Sequence, residues 1–153
     1  MYSKLYEWLD RFLEKIKDHQ NLHQTFRNCF LSTLETTTEL IDNDQTFVIT
    51  GDIPAMWLRD SSVQVSHYLK LVDQDSDTDR VIKGLIRKQL ELIIVDPYAN
   101  AFKKNGLTKG NHDDDLTDLK PEIWERKYEI DSLCYPLWLT HKYYQKTHDK
   151  TLF

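Results

Sequence analysis

The chain has 153 residues, of which 40% are hydrophobic, 29% charged and 12% aromatic, a composition that builds one packed core and excludes a disordered segment. Its formal charge of −5 offers no basic face, which speaks against nucleic acid or an acidic membrane as partner, and no run approaches the ~18 apolar residues of a membrane span. Glycine and proline number four each, well below the usual ~12% combined, which favours long helices over a many-turned β-sandwich.

Leu5, Trp8, Leu9, Phe12, Leu13 and Ile16 recur at helical spacing, with Lys4, Asp10, Glu14 and Lys17 opposite, and predict a first amphipathic helix. Lys4, Glu7, Asp10 and Arg11 interrupt its apolar residues, so a secretory signal is not expected there. Asn21 is expected to cap a second helix with Leu22, Phe26, Cys29, Phe30 and Leu34 on one side. The β-branched run Thr46-Phe47-Val48-Ile49-Thr50 predicts a short strand ending at Gly51, the one β element expected. Helix resumes after Pro54, from about Asp60 to Leu71, and Asp60, Ser61 and Ser62 all suit its start.

Ser76 or Asp77 is expected to cap the next helix, where Val81, Ile82, Leu85, Ile86, Gln89, Leu90 and Ile93 keep the 3.6 period. It stops at Asp96-Pro97, because proline pushes the preceding residue out of the α region. From Asp96 to about Pro121 no period emerges, and a loop of that size is usually functional or mobile. Asp131 is expected to cap a last helix to about His148, with Leu133, Leu137, Trp138 and Tyr144 inward and Pro136 kinking its first turns. His148-Asp149-Lys150 reads as an inter-helix turn, and Thr151-Leu152-Phe153 as the opening of another helix. No repeat or linker divides the chain, so it reads as one domain. Cys29 and Cys134 read as two buried thiols of a reduced, cytoplasmic protein.

Three stretches carry groups suited to carbohydrate chemistry. In Gly51-Asp52-Ile53-Pro54-Ala55-Met56-Trp57-Leu58-Arg59-Asp60-Ser61, a strand and a rigid turn present Trp57, Arg59 and Asp60 at a helix start. An indole face covers the C–H face of a pyranose, while Arg and Asp bind vicinal hydroxyls through directional bonds. The same residues also fit a core Trp57, a surface ion pair at Arg59 and an N-cap at Asp60. In Asp96-Pro97-Tyr98-Ala99-Asn100-Ala101-Phe102, Tyr98 and Asn100 suit a polar pocket, or simply a turn after a helix stop. Trp124 to Asp131 packs three carboxylates and two bases beside aromatics, which suits a sugar-binding network or an exposed charge lattice. His112-Asp113-Asp114-Asp115 lacks metal-ligand spacing and reads as a solvated acidic loop. There is no Walker loop, dinucleotide fingerprint, serine elbow or Cys-x-x-Cys.

TGDIPAMWLRDS (Thr50 to Ser61), DPYANAF (Asp96 to Phe102) and WERKYEIDSLCYP (Trp124 to Pro136), in this order, closely resemble signature segments of glycoside hydrolase family 125, the metal-independent exo-α-1,6-mannosidases. The resemblance spans nearly the whole chain but not the whole family. It implies an all-α fold, an (α/α)6 barrel of which this sequence would be the N-terminal third, cut short at its C-terminus. It also implies an inverting, exo-acting α-1,6-mannosidase working on the non-reducing mannose of a glycan, with no metal or other cofactor. Both catalytic carboxylates are expected beyond residue 153, so no catalytic residue is assigned and the segment alone is expected to be inactive. Trp57, Arg59, Asp60, Asn100, Lys127, Glu129 and Asp131 are implied to position a mannose-containing oligosaccharide. The competing readings are a truncated, non-catalytic sugar-binding or scaffold fragment, and an (α/α)6 glycosidase for a different sugar.

Overall fold

The computed structural model describes residues 2–42, 44–107 and 109–152. Helix α1 (Ser3–Lys15) buries Leu5, Leu9 and Leu13 as one stripe. Its first backbone amides are capped from far along the chain: Lys4 and Leu5 N–H donate to Asp75 Oδ2 at 2.9 and 3.2 Å. Helix α2 (Gln20–Ser32) packs Phe26 and Phe30 against Trp8 and Phe12, with ring centroids 4.4 to 5.6 Å apart. A π-helical turn at Thr33–Thr37 leads into the antiparallel hairpin of β1 (Thr38–Ile41) and β2 (Gln45–Val48).

Strand β3 (Ala55–Trp57) runs directly into helix α3 (Leu58–Ser66), which tightens into a 3₁₀ turn at His67–Leu71. Helix α4 (Ser76–Val95) is the central buried element, hiding Val81, Ile82, Leu85, Ile86, Gln89 and Leu92 and packing on β2. Strands β4 (Ala101–Lys103) and β5 (Ile123–Glu125) join β3 in a three-stranded antiparallel sheet of order β3-β4-β5. Helix α5 (Ile130–Thr147) closes the packing against α3 and α4. The Tyr143 hydroxyl donates to Asp79 Oδ1 at 2.7 Å, tying α5 to α4.

Several expectations need correcting. The fold is mostly helical but not all-α, since two small antiparallel sheets are present among the described residues where one short strand was expected. Three of the five strands are only three residues long, too short for an alternation to register in sequence. The unpatterned stretch after Asp96 contains β4.

Caps also shift. Helix α4 is capped by Asp75, whose Oδ1 accepts from Thr78 N–H at 2.8 Å, rather than by Ser76 or Asp77. Asn21 lies inside α2. Asp60 and Asp131 sit in the first turns of their helices, with Trp57 and Glu129 at the cap positions. Helix α5 turns Ser132, Pro136, Leu139, Thr140 and Tyr143 inward, while Leu137 stays 60% exposed and Trp138 is also exposed. Its buried Thr140 hydroxyl bonds Pro136 C=O at 2.8 Å, which lets a polar residue occupy the inner face. Cys29 and Cys134 are exposed free thiols, not buried ones. Thr151 and Leu152 form a turn, and the expected helix opening at Phe153 lies outside the described residues.

Candidate functional site

The three-stranded sheet gathers the candidate residues. Its register sets Trp57 opposite Ala101, and Ala101 opposite Glu125. Strand β3 therefore ends, β4 begins and β5 ends along one edge. Arg59 and Asp60 follow β3, Asn100 precedes β4, and Lys127, Glu129 and Asp131 follow β5. Segments far apart in sequence meet there because antiparallel strands return the chain to the same edge.

Arg59 is the centre of the charged part. Its Nη1 donates to Asp131 Oδ2 at 2.9 Å and lies 3.8 Å from Glu129 Oε2. Its Nη2 donates to Asp60 Oδ2 at 3.3 Å. The hydrogen bond to Asp131, together with the Asp60 and Glu129 charges, holds the guanidinium pKa above its ordinary value against partial desolvation. One cation facing three carboxylates leaves acceptor capacity to spare. Asp131 Oδ1 and Glu129 Oε2 are shielded from solvent yet accept no hydrogen bond among the described residues. Buried acceptors of this kind call for donors.

Asn100 is fully buried. Its Nδ2 donates to Glu125 Oε2, and its Oδ1 accepts from Lys127 N–H at 3.2 Å. Its backbone carbonyl accepts from Leu58 N–H at 3.1 Å, and its own N–H donates to the Glu125 carbonyl at 3.3 Å. Trp57 is half-buried, its backbone N–H donating to Thr50 Oγ1 at 3.4 Å. Lys127 has an exposed side chain. The structure thus joins Arg59, Asp60, Glu129 and Asp131 in one contact cluster, and links Asn100 to it through backbone bonds.

Beside this edge, Tyr98 and Tyr128 pair with ring centroids 5.9 Å apart, and both are exposed. The Arg126 guanidinium lies 5.7 Å from the Tyr98 ring centre and is fastened by Nε donating to Asp96 Oδ2 at 2.7 Å. Burial raises the Asp96 pKa, but the Arg126 bond and the Tyr98 N–H outweigh it and hold the carboxyl below its usual range. Sequence reasoning counts Glu125 among the three carboxylates of Trp124 to Asp131 without naming it as substrate-binding, and reads His112 only as part of an acidic loop. Glu125 Oε1 lies 3.5 Å from His112 Nε2, whose Nδ1 faces Asp115 Oδ2 at 3.1 Å. The acidic loop is therefore anchored as well as solvated, with Asp113 Oδ1 accepting from Lys103 Nζ at 2.7 Å. No local signal marks the contacts of Glu125, since its partners Asn100 and His112 lie on other segments.

A model of the family described as metal-independent α-mannosidase matches residues 19–153. The chain is similar to a Streptococcus pneumoniae protein solved as a non-productive complex with α-1,6-mannobiose and described within a widely distributed family of metal-independent α-mannosidases. That similarity has a TM-score of 0.92 and 45% identity, covering 97% of this chain and 35% of that one. It is also 37% identical over 159 residues to the meiotically up-regulated gene 157 protein of Schizosaccharomyces pombe, covering 95% of this chain and 31% of that protein. The chain thus spans about a third of the length of these relatives.

Proposed function

The chain belongs to glycoside hydrolase family 125, the metal-independent α-mannosidases, and on that premise we propose that it forms part of an inverting, exo-acting α-1,6-mannosidase and holds the non-reducing mannose of the substrate. The observation that carries this reading is the Arg59 fork held among the carboxylates of Asp60, Glu129 and Asp131, all four side chains staying partly exposed. Arg59 and Asp60 grip neighbouring sugar hydroxyls as donor and acceptor, and the exposed parts of Glu129 and Asp131 accept from others. Trp57 lends an indole face, and Lys127 a further donor. Asn100 fixes the backbone on which these groups stand. The neighbour's complex with α-1,6-mannobiose supports a mannose oligosaccharide as ligand.

Inverting hydrolysis needs a carboxylic acid at the leaving oxygen and a carboxylate on the water, ~6.5–9.5 Å apart. The reading places both, and the closing helices of an (α/α)6 barrel, in segments beyond this chain, which alone is expected to be inactive. What Arg59, Asp60, Glu129 and Asp131 do is hold the ring as it flattens toward an oxocarbenium ion. Their surplus of negative charge suits the positive charge that develops there. Cys29 and Cys134 as free thiols support a reducing, cytoplasmic setting. No helix among the described residues is long and apolar enough to cross a membrane.

The test follows α-1,6-mannobiose by proton NMR with a full-length protein containing this chain. Early release of β-mannose, unaffected by chelator, is the expected result. Release of α-mannose would overturn the inverting mechanism, and no release would favour a non-catalytic sugar-binding protein.

A further inference from the structure

We propose that Glu125 is a positioning residue of this site, acting through Asn100 to set where Arg59 meets Asp131. The proposal rests on the mannose-site reading for its kinetic consequence but on geometry alone for its structural one. Asn100 is fully buried, and both halves of its amide are used: Nδ2 on Glu125 Oε2, and Oδ1 on Lys127 N–H at 3.2 Å. Burial keeps this side chain out of a sugar's reach. What it does is join two chain segments. Its carbonyl receives Leu58 N–H at 3.1 Å, one residue before Arg59. Its side chain receives Lys127 N–H, just before Glu129 and Asp131. One asparagine thus bridges the segment that carries the arginine fork and the segment that carries its two following carboxylates, beside the direct packing of α3 on α5.

Glu125 and Lys127 N–H together fix which way that asparagine faces. An Asn amide can be flipped, and here the flip would set Nδ2 against the Lys127 N–H and Oδ1 against the Glu125 carboxylate. The Glu125 side chain is 17% exposed, and its other oxygen faces His112 Nε2 at 3.5 Å. His112 in turn faces Asp115 at 3.1 Å. A carboxylate bound on both sides has few alternative positions, which is what a positioning group requires.

The experiment exchanges the two ends of the bond in the full-length protein. Asn100→Asp sets a carboxylate against the Glu125 carboxylate and removes the donor. Adding Glu125→Gln restores the pair with its polarity reversed, since the amide now at position 125 donates to the carboxylate now at position 100. Lys127 N–H keeps its acceptor in both variants. With α-1,6-mannobiose, Asn100→Asp is expected to lose ~100-fold in kcat, with KM held within ~3-fold. The double variant is expected to return to within ~10-fold of wild type.

A wild-type kcat in Asn100→Asp, or a folded double variant no better than the single, would overturn the proposal. If the single variant fails to fold, the double variant decides alone, and its own failure to fold would count against the proposal because the exchange keeps the hydrogen bonds of position 100 to position 125, Lys127 and Leu58. Crystal structures of the variants give a readout independent of catalysis. The 2.9 Å Arg59–Asp131 contact should be lost in Asn100→Asp and regained in the double variant. Its persistence in Asn100→Asp would overturn the inference even if the wild-type protein proves to release no mannose.

Discussion

The Arg59 guanidinium meets Asp131 at 2.9 Å across 72 residues of sequence. Both side chains are more than a third exposed, and an ion pair this open contributes only about 0–1 kcal/mol to stability. Folding alone gives little reason to assemble it. A preorganised fork of this kind fits the proposed role of holding a polyhydroxylated ligand.

Asp75 joins two helices through one carboxylate, accepting from Thr78, Lys4 and Leu5 N–H. Burial raises its pKa, but those backbone donors outweigh burial and leave it below the ordinary value. A depressed carboxylate stabilises the fold above its unfolded pKa of ~3.9 and loses that contribution as pH falls through its folded value. Asp75→Asn should therefore be less stable than wild type in urea at pH 7, and the gap should shrink below about pH 4. A gap that widens on acidification would contradict the capping role.

Gly84 sits mid-helix in α4, where alanine normally gains up to ~1 kcal/mol of helix propensity. Here an added Cβ would meet Thr46 Oγ1 at 2.6 Å and the Asp44 carbonyl at 2.7 Å. Gly84→Ala should instead destabilise by ~1–3 kcal/mol, because the β1–β2 hairpin must move away from α4. Urea denaturation gives the sign directly, and a stabilised variant would show that the hairpin is free to yield.

Gln89 is fully buried in α4, and its Nε2 reaches Leu58 C=O at 3.2 Å and the Ser61 and Ser62 hydroxyls at 2.9 Å each. It thereby fastens α4 to the first turn of α3, which carries Arg59. Gln89→Leu removes the donor and should cost ~1–3 kcal/mol, lowering Tm. A variant as stable as wild type would mean that the two serines satisfy this turn unaided.

The helices were legible because their apolar residues keep a 3.6 period, and of the face expected in α4, Val81, Ile82, Leu85, Ile86 and Gln89 are buried while Leu90 and Ile93 are partly buried. Their starts were less so. Helix α3 begins at Leu58 because its N–H finds the Asn100 carbonyl, a partner that no local pattern announces. Leu137 and Trp138 were misread as inward because apolarity alone ignores that Ser132 and Thr140 lie inside on α5. At the site, the residue types of Arg59, Asp60, Glu129 and Asp131 were visible, but their meeting depends on the three-residue strands β3, β4 and β5. The bond between Asn100 and Glu125 spans 25 residues and left no trace in either local motif.

The central claim, that this cluster grips the mannose, is tested most directly by Asp60→Asn in the full-length protein, with kcat/KM on α-1,6-mannobiose and Tm measured together. Asp60 lies in the first turn of α3, and among the described residues its side chain meets Arg59, so losing its charge should cost the fold only ~0.3–1 kcal/mol through the helix dipole. If Asp60 holds a sugar hydroxyl in the transition state, kcat/KM should fall by ~2–4 kcal/mol of stabilisation, roughly 30- to 1,000-fold, while Tm barely moves. A wild-type kcat/KM in that variant would contradict the account and return Asp60 to the role of a helix-start carboxylate.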